Sequence, residues 1–179
     1  MTDHGWKKWE VIGLFVTLAA GNLLHFVYDW SGENPIAAAV SGVNESVWEH
    51  MKLLAVPWIL WSAVEIFALR RSHLPVLTAR AAGLLTGLLL IPLLYYGYTG
   101  ATGVNLSLVD ILIFQLAVLA AFGVSWFLLK RRWFFGMFRQ IMGAAVLAGI
   151  LALFVWWTYQ TPQLPVFIDP VTQQRGMGK

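Results

Sequence analysis

The sequence predicts an all-α fold: an integral membrane bundle of five transmembrane helices, N-terminus in the cytoplasm and C-terminus outside. Three observations predict it. The 179 residues are 59% hydrophobic and only 12% charged, whereas a soluble domain carries about 25% charged residues. Five stretches approach the roughly 20 apolar residues that cross a bilayer. Lys and Arg collect at one end of those stretches, as cytoplasmic loops do.

The elements follow in order within a single transmembrane domain, 1–179. The first helix spans about 11–30, after Lys7 and Lys8. Its basic start and the small residues Leu18-Ala19-Ala20-Gly21 resemble a signal peptide, but the apolar run continues through Leu23, Leu24, Phe26 and Val27. A signal's apolar region is about 7–15 residues long, so this is a retained helix. The second helix covers 44–69, apolar from Leu53 with a polar lead-in from Asn44. The third, fourth and fifth cover 81–98, 107–129 and 140–159. Pro57 and Pro92 fall inside two of them, which membrane helices tolerate. Gly83 with Gly87 and Ala144 with Ala148 have small-xxx-small spacing, a helix-packing signature. The loop 31–43 holds Ile36-Ala37-Ala38-Ala39-Val40, too short to span and suited to an interfacial or re-entrant helix. The tail 160–179 carries three prolines, which favour an extended outer segment. Its Val166-Phe167-Ile168 patch is apolar enough to fold back on the outer face.

With the N-terminus inside, nine basic residues are cytoplasmic: Lys7, Lys8, Arg70, Arg71, Arg80, Lys130, Arg131, Arg132 and Arg139. Three are outside: Lys52, Arg175 and Lys179. That asymmetry sets the orientation. Trp and Tyr residues near the span ends fit interfacial belts. The net charge of +3 therefore reflects topology. Membrane lipids are the expected partners and nucleic acid is not. The absence of cysteine excludes disulfides, thiolate metal sites and cysteine nucleophiles.

Ionisable residues gather toward the outer side. His25 and Asp29 are four residues apart, as are Glu45 and Glu49, and that spacing puts each pair on one helix face. Glu33, His50 and Asp110 fall in the same layer. Ionisable groups at membrane depth are costly and mark function by default. Each also has a plain structural role open to it. Asn44 suits a helix cap, Glu45 and Asp110 suit positive helix N-termini, and Glu49 can pair with Lys52 at i,i+3. His25 is the hardest to explain that way, because it lies deeper. Glu65, at the other side, is expected to pair with Arg70 or Arg80.

Imidazoles and carboxylates at helical spacing are how bundles hold divalent metals. His25, Asp29, Glu45 and His50 are the candidate metal ligands, with zinc the most suitable ion. Glu49 and Glu45 are the candidate catalytic carboxylates. Asn22, Asn44 and Asp110 border the same layer. Zinc with a bound water and a spare carboxylate makes a hydrolase, here acting on lipid or peptide at the outer face. No His-Glu-x-x-His and no Gly-x-Ser-x-Gly is present. Two other classes stay open: a non-catalytic scaffold or accessory subunit, and a cation- or proton-coupled transporter. The sequence offers no second layer of buried charge, which counts against transport.

The segments Gly21-Asn22-Leu23-Leu24-His25-Phe26-Val27-Tyr28-Asp29-Trp30-Ser31-Gly32 and Val43-Asn44-Glu45-Ser46-Val47-Trp48-Glu49-His50-Met51-Lys52 resemble a family of small bacterial multi-pass membrane proteins of unknown function. Phe167-Ile168-Asp169-Pro170 resembles it more weakly. The resemblance implies a bacterial inner-membrane protein and supplies no activity.

Overall fold

In the computed structural model, residues 5–69, 75–134 and 136–177 are described. His4, Arg70, Arg71, His73 and Lys179 lie outside the described residues. Six helices form, in the order α1 Gly5–Trp30, α2 Pro35–Ala38, α3 Val47–Leu69, α4 Val76–Thr102, α5 Ser107–Arg131 and α6 Met137–Tyr159. All but α2 are long and apolar enough to cross a membrane. The described residues contain no strand.

The five long helices are those expected, and most run further than their apolar stretches. α1 begins at Gly5 rather than near Val11, because Lys7 and Lys8 can remain helical while reaching water from an interface. α4 begins just after Pro75 and ends at Gly103, whose φ of +73° lets the chain leave the helix without the clash a side chain would meet there. α3 starts later than Asn44, at Val47. The reason lies in Ser46-Val47-Trp48-Glu49, an S-x-x-E start signal. The amide of Glu49 donates to Ser46 Oγ at 3.4 Å, so Ser46, not Asn44, caps the helix. Asn44 Oδ1 instead accepts from the amide of Ser46 at 2.9 Å, a local turn that competes with helix.

α3 and α4 form the centre, with 56% and 50% of their apolar windows buried, against 22% for both α1 and α6. α1 packs on α3 and α5, and α6 on α4 and α3. Small residues set the close approaches. A Cβ on Gly83 would lie 2.6 Å from the Ala121 carbonyl oxygen, and one on Gly87 3.2 Å from that of Ala117, both on α5. Gly143 approaches the Leu77 backbone of α4 in the same way. Ala148, by contrast, faces outward on α6. Pro57 and Pro92 lie inside α3 and α4 without ending either helix.

The first long loop folds as α2, capped by Asn34, whose Oδ1 accepts from the Ile36 amide at 2.8 Å. Tyr159 Oη donates to the Pro35 carbonyl at 2.7 Å and ties the end of α6 to this turn. The tail is folded, not extended. After a 3₁₀ turn at Pro165–Phe167, Ile168 bridges Arg175. Phe167 is buried against Trp48 and Trp157. Burying that ring offsets the ordering cost of the proline-rich segment.

Candidate functional site

His25 lies five residues before the last residue of α1, Glu45 comes from the turn before α3 and His50 from the first turn of α3. Nε2 of His25 lies 3.2 Å from Oε1 of Glu45. Nε2 of His50 lies 3.8 Å from Oε2 of the same carboxylate. The two imidazole rings are 5.7 Å apart. His50 Nδ1 is 3.0 Å from the Ser46 carbonyl; donating there, it leaves Nε2 with its lone pair toward Glu45, the arrangement that orients metal-binding histidines. One ligand atom from each of the three residues lies within 4.8 Å of the others. Around a tetrahedral ion with bonds of about 2.0–2.2 Å, ligand atoms are about 3.5 Å apart. The set therefore has to close by only about 1 Å, within reach of side-chain rotation.

These three residues line a cavity of about 220 Å³ shared with Asn22, Phe26, Asp110, Ile111 and Phe114. Phe26 of α1 and Ile111 of α5, both on its lining, are 47% and 49% exposed. Asn22 belongs to the same lining. Its Oδ1 accepts from Gln115 Nε2 at 3.3 Å and its Nδ2 donates to the Leu18 carbonyl at 2.6 Å.

The hydrogen bond from His25 holds the Glu45 carboxyl below its usual range, with burial opposing the shift. Glu45 is thus poised as an anion, the state a metal ligand needs. Asp110 accepts from Tyr98 Oη at 2.6 Å and from Asn105 Nδ2 at 2.8 Å. It links the α4–α5 turn and also faces the cavity.

Two expected site residues lie elsewhere. Asp29 is exposed at the end of α1 and is not part of the three-ligand set. Glu49 does not share a face with Glu45, because Glu45 precedes the helix. Its Oε2 accepts from Lys52 Nζ at 2.6 Å and from the Val43 amide at 3.2 Å. Both members of the pair are buried, and the contacts with Lys52 and the Val43 amide tie Glu49 to the turn that precedes α3. The expected pairing with Lys52 forms, inside the protein instead of at a headgroup boundary.

The tail supports the site, a role the sequence signalled only through its apolar patch. Asn44 Nδ2 donates to the Gly176 carbonyl at 2.9 Å. The Glu45 amide donates to Asp169 Oδ2 at 3.4 Å, and Asp169 Oδ1 accepts from the Val171 and Thr172 amides at 2.7 and 3.2 Å. Burial pushes the Asp169 carboxyl up, but those donors outweigh it and hold it below its usual range. A group depressed in the fold contributes stability above its unfolded pKa, about 3.9, and loses it as pH falls through the lower folded value. Asp169→Ala is expected to cost about 1–3 kcal/mol and to loosen the turn that presents Glu45. The cost should shrink in acid, where wild type has lost the same contribution. Thermal melts of both proteins across a pH series check this.

A second buried cluster joins Glu10 of α1, Glu65 of α3, Arg80 of α4 and Ser125 of α5; of these the sequence pointed to Glu65 and Arg80 alone. Glu65 pairs with Arg80, as one of its two expected partners; Arg70 is outside the described residues. Arg80 is not a loop cation but fully buried. The available signal was Glu10, which shares one helix face with Gly13, Thr17 and Gly21. Placing the start of the span at 11 left it outside.

A family described as a family of unknown function (DUF6512) matches residues 2–177. The chain belongs to DUF6512. The resemblance of the first two spans and the tail motif thus extends over nearly the whole DUF6512 chain. No curated protein and no solved structure matches it.

Proposed function

We propose that this protein is a membrane-embedded, metal-dependent hydrolase acting on a lipid. One observation carries the reading: His25, Glu45 and His50 converge on the wall of a cavity that α1 and α5 both line. Two imidazoles and one carboxylate are a catalytic zinc set with a position left for water. Bound there, zinc would bring water's pKa to about 7 and polarise an ester. Asp110, on the α5 wall, suits the proton acceptor. With zinc held by His25, Glu45 and His50 activating a water for attack on the ester, Asp110 would take the water's proton and return it to the leaving oxygen of the broken ester bond. A lipid fits better than a peptide because the exposed Phe26 and Ile111 offer apolar contacts to acyl chains.

The test uses purified full-length protein, prepared without chelator and incubated with zinc, manganese or iron. Supporting results are one tightly held ion per chain and metal-dependent release of fatty acid or headgroup from vesicles. Protein that stays metal-free under all three conditions overturns the reading. The scaffold reading would then gain, with His25, Glu45 and His50 as a closed hydrogen-bond network.

The orientation belongs to the same reading: N-terminus inside, C-terminus outside, in a bacterial inner membrane. Taking the buried Arg80 and Lys52 out of the loop counts leaves the basic asymmetry in place. Alkaline phosphatase fused after Lys179 is expected to be active, and a cytoplasmic reporter at that site inactive. The reverse pattern refutes the orientation.

The buried Glu10–Arg80–Glu65 cluster favours a second reading, a proton-coupled carrier, since it is the second layer of membrane charge that such a carrier uses. Proton uptake into proteoliposomes, driven by an imposed substrate gradient and lost on replacing Glu10, would select it over the hydrolase.

A further inference from the structure

Near the helix ends opposite the cavity of His25, three charged side chains meet, almost fully buried. Arg80 Nη2 lies 3.4 Å from Glu10 Oε1; Arg80 Nε donates to Glu65 Oε2, and Nη2 is in close ion-pair contact with the same oxygen. The guanidinium is 4.9 Å from the Trp58 ring centre and 4.8 Å from that of Phe122. Ser125 Oγ donates to Glu10 Oε1 at 2.8 Å. Glu10, Glu65 and Arg80 are 2%, 0% and 0% exposed. We propose that Glu10, Arg80 and Glu65 form a proton-binding site that holds one exchangeable proton on Glu10, reached from the cavity between α1 and α5.

Charge balance is the first support. One guanidinium neutralises one carboxylate, and here it faces two. Fully ionised, the cluster would keep a net negative charge in a low-dielectric interior, where an unpaired ion costs several kcal/mol. One bound proton removes that charge.

The geometry then says which carboxylate carries it. Glu65 takes the close, two-nitrogen contact with Arg80 and is the ionised partner. Each carboxylate has one buried oxygen without a hydrogen-bond partner, Glu10 Oε2 and Glu65 Oε1, but Glu10 has only the longer contact with Arg80, through Oε1. A proton on Glu10 Oε2 therefore displaces neither Arg80 nor Ser125 and leaves the closer Glu65–Arg80 pair ionised. Among the described residues, the titratable and charged groups facing Glu10 are Glu65 from α3 and Arg80 from α4; α5 contributes only the Ser125 hydroxyl.

Access comes from the side. Toward the helix ends an apolar cluster of Trp6, Leu69, Val76, Ala79, Leu128 and Leu129 closes the bundle. Beside Glu10, a cavity of about 180 Å³ runs between α1 and α5, lined also by Leu14, Leu119, Phe122, Gly123 and Trp126. It has room for water, and water carries the proton. The site stands independently of the outer metal site, with which it shares no residue.

Infrared difference spectra of the full-length protein in lipid nanodiscs, taken across a pH step, read the proton directly. Wild type is expected to show the carbonyl stretch of one protonated carboxylic acid that titrates and shifts in heavy water. Glu10→Gln should remove it. Glu65→Gln should remove it too, because Arg80 is then matched by Glu10 alone and no proton is needed. That second variant separates charge balance from simple burial, and it carries the test if Glu10→Gln does not fold. No such band in wild type, a band that ignores heavy water, or a band that survives in both variants overturns the proposal.

Discussion

His25→Ala is expected to take the metal content of the purified protein from one ion per chain to none, with the helical bundle still folded. His25 supplies one of three ligands, and its Nε2 is 3.2 Å from the Glu45 carboxylate. Losing a ligand should weaken binding by more than the roughly 10–100-fold that losing a supporting partner costs. Folding should survive, because the ring is only half-buried at the rim of an existing cavity. His50→Ala and Glu45→Gln are expected to act alike, and Asp29→Ala to leave binding unchanged, since Asp29 is exposed and outside the set. Acid gives an independent check. Metal competes with protons for neutral imidazoles and an anionic Glu45, so affinity should fall as pH drops. Elemental analysis and melting curves on the same preparations decide. Metal-free wild type whose stability drops by about 1–3 kcal/mol in His25→Ala would make the cluster structural instead.

The part of this site legible in the sequence was the part that rests on hydropathy and helix ends. His25 stood out because it lies below the outer boundary of a span, and Glu45 because carboxylates near a span end are few. Their meeting follows from α1 and α3 being neighbours. What the spacing rule misjudged was Glu49, since a helical repeat holds only inside a helix and Ser46 starts α3 after Glu45. The burial of Arg80 and the part played by Glu10 were invisible for a related reason, although the pairing of Arg80 with Glu65 was expected. Basic and acidic residues near span ends are normally solvated, and nothing local distinguishes a buried one. Their burial is set by Trp58 and Phe122 on two other helices. Likewise the tail's prolines predict an extended chain, and only the pocket formed by Trp48 and Trp157 makes Phe167 fold back.

Lys52→Met is expected to destabilise the protein by about 3–5 kcal/mol, the cost of leaving one member of a buried ion pair alone. Lys52 Nζ uses all three of its donors: on Glu49 Oε2 at 2.6 Å, the Ala38 carbonyl at 2.8 Å and Thr158 Oγ1 at 3.0 Å. Through them α3 holds α2 and α6. With the ammonium gone, Glu49 remains desolvated and keeps only the Val43 amide as a donor. The double variant Glu49→Met/Lys52→Met should recover most of the loss, because paired buried charges replaced by apolar groups of similar volume are often neutral. A smaller cost remains, because the Val43 amide and the Ala38 carbonyl each lose a hydrogen-bond partner. The same change should weaken metal binding, since Glu49 anchors the Val43 end of the turn that carries Glu45, and His50 follows it on α3. Denaturant or thermal unfolding in nanodiscs, run as a double-mutant cycle, measures the coupling. A single Lys52→Met loss under about 1 kcal/mol, or a double variant no better than the single, would mean that Glu49 sheds its charge or finds water when Lys52 is absent, and that the pair does not hold the outer turn in place.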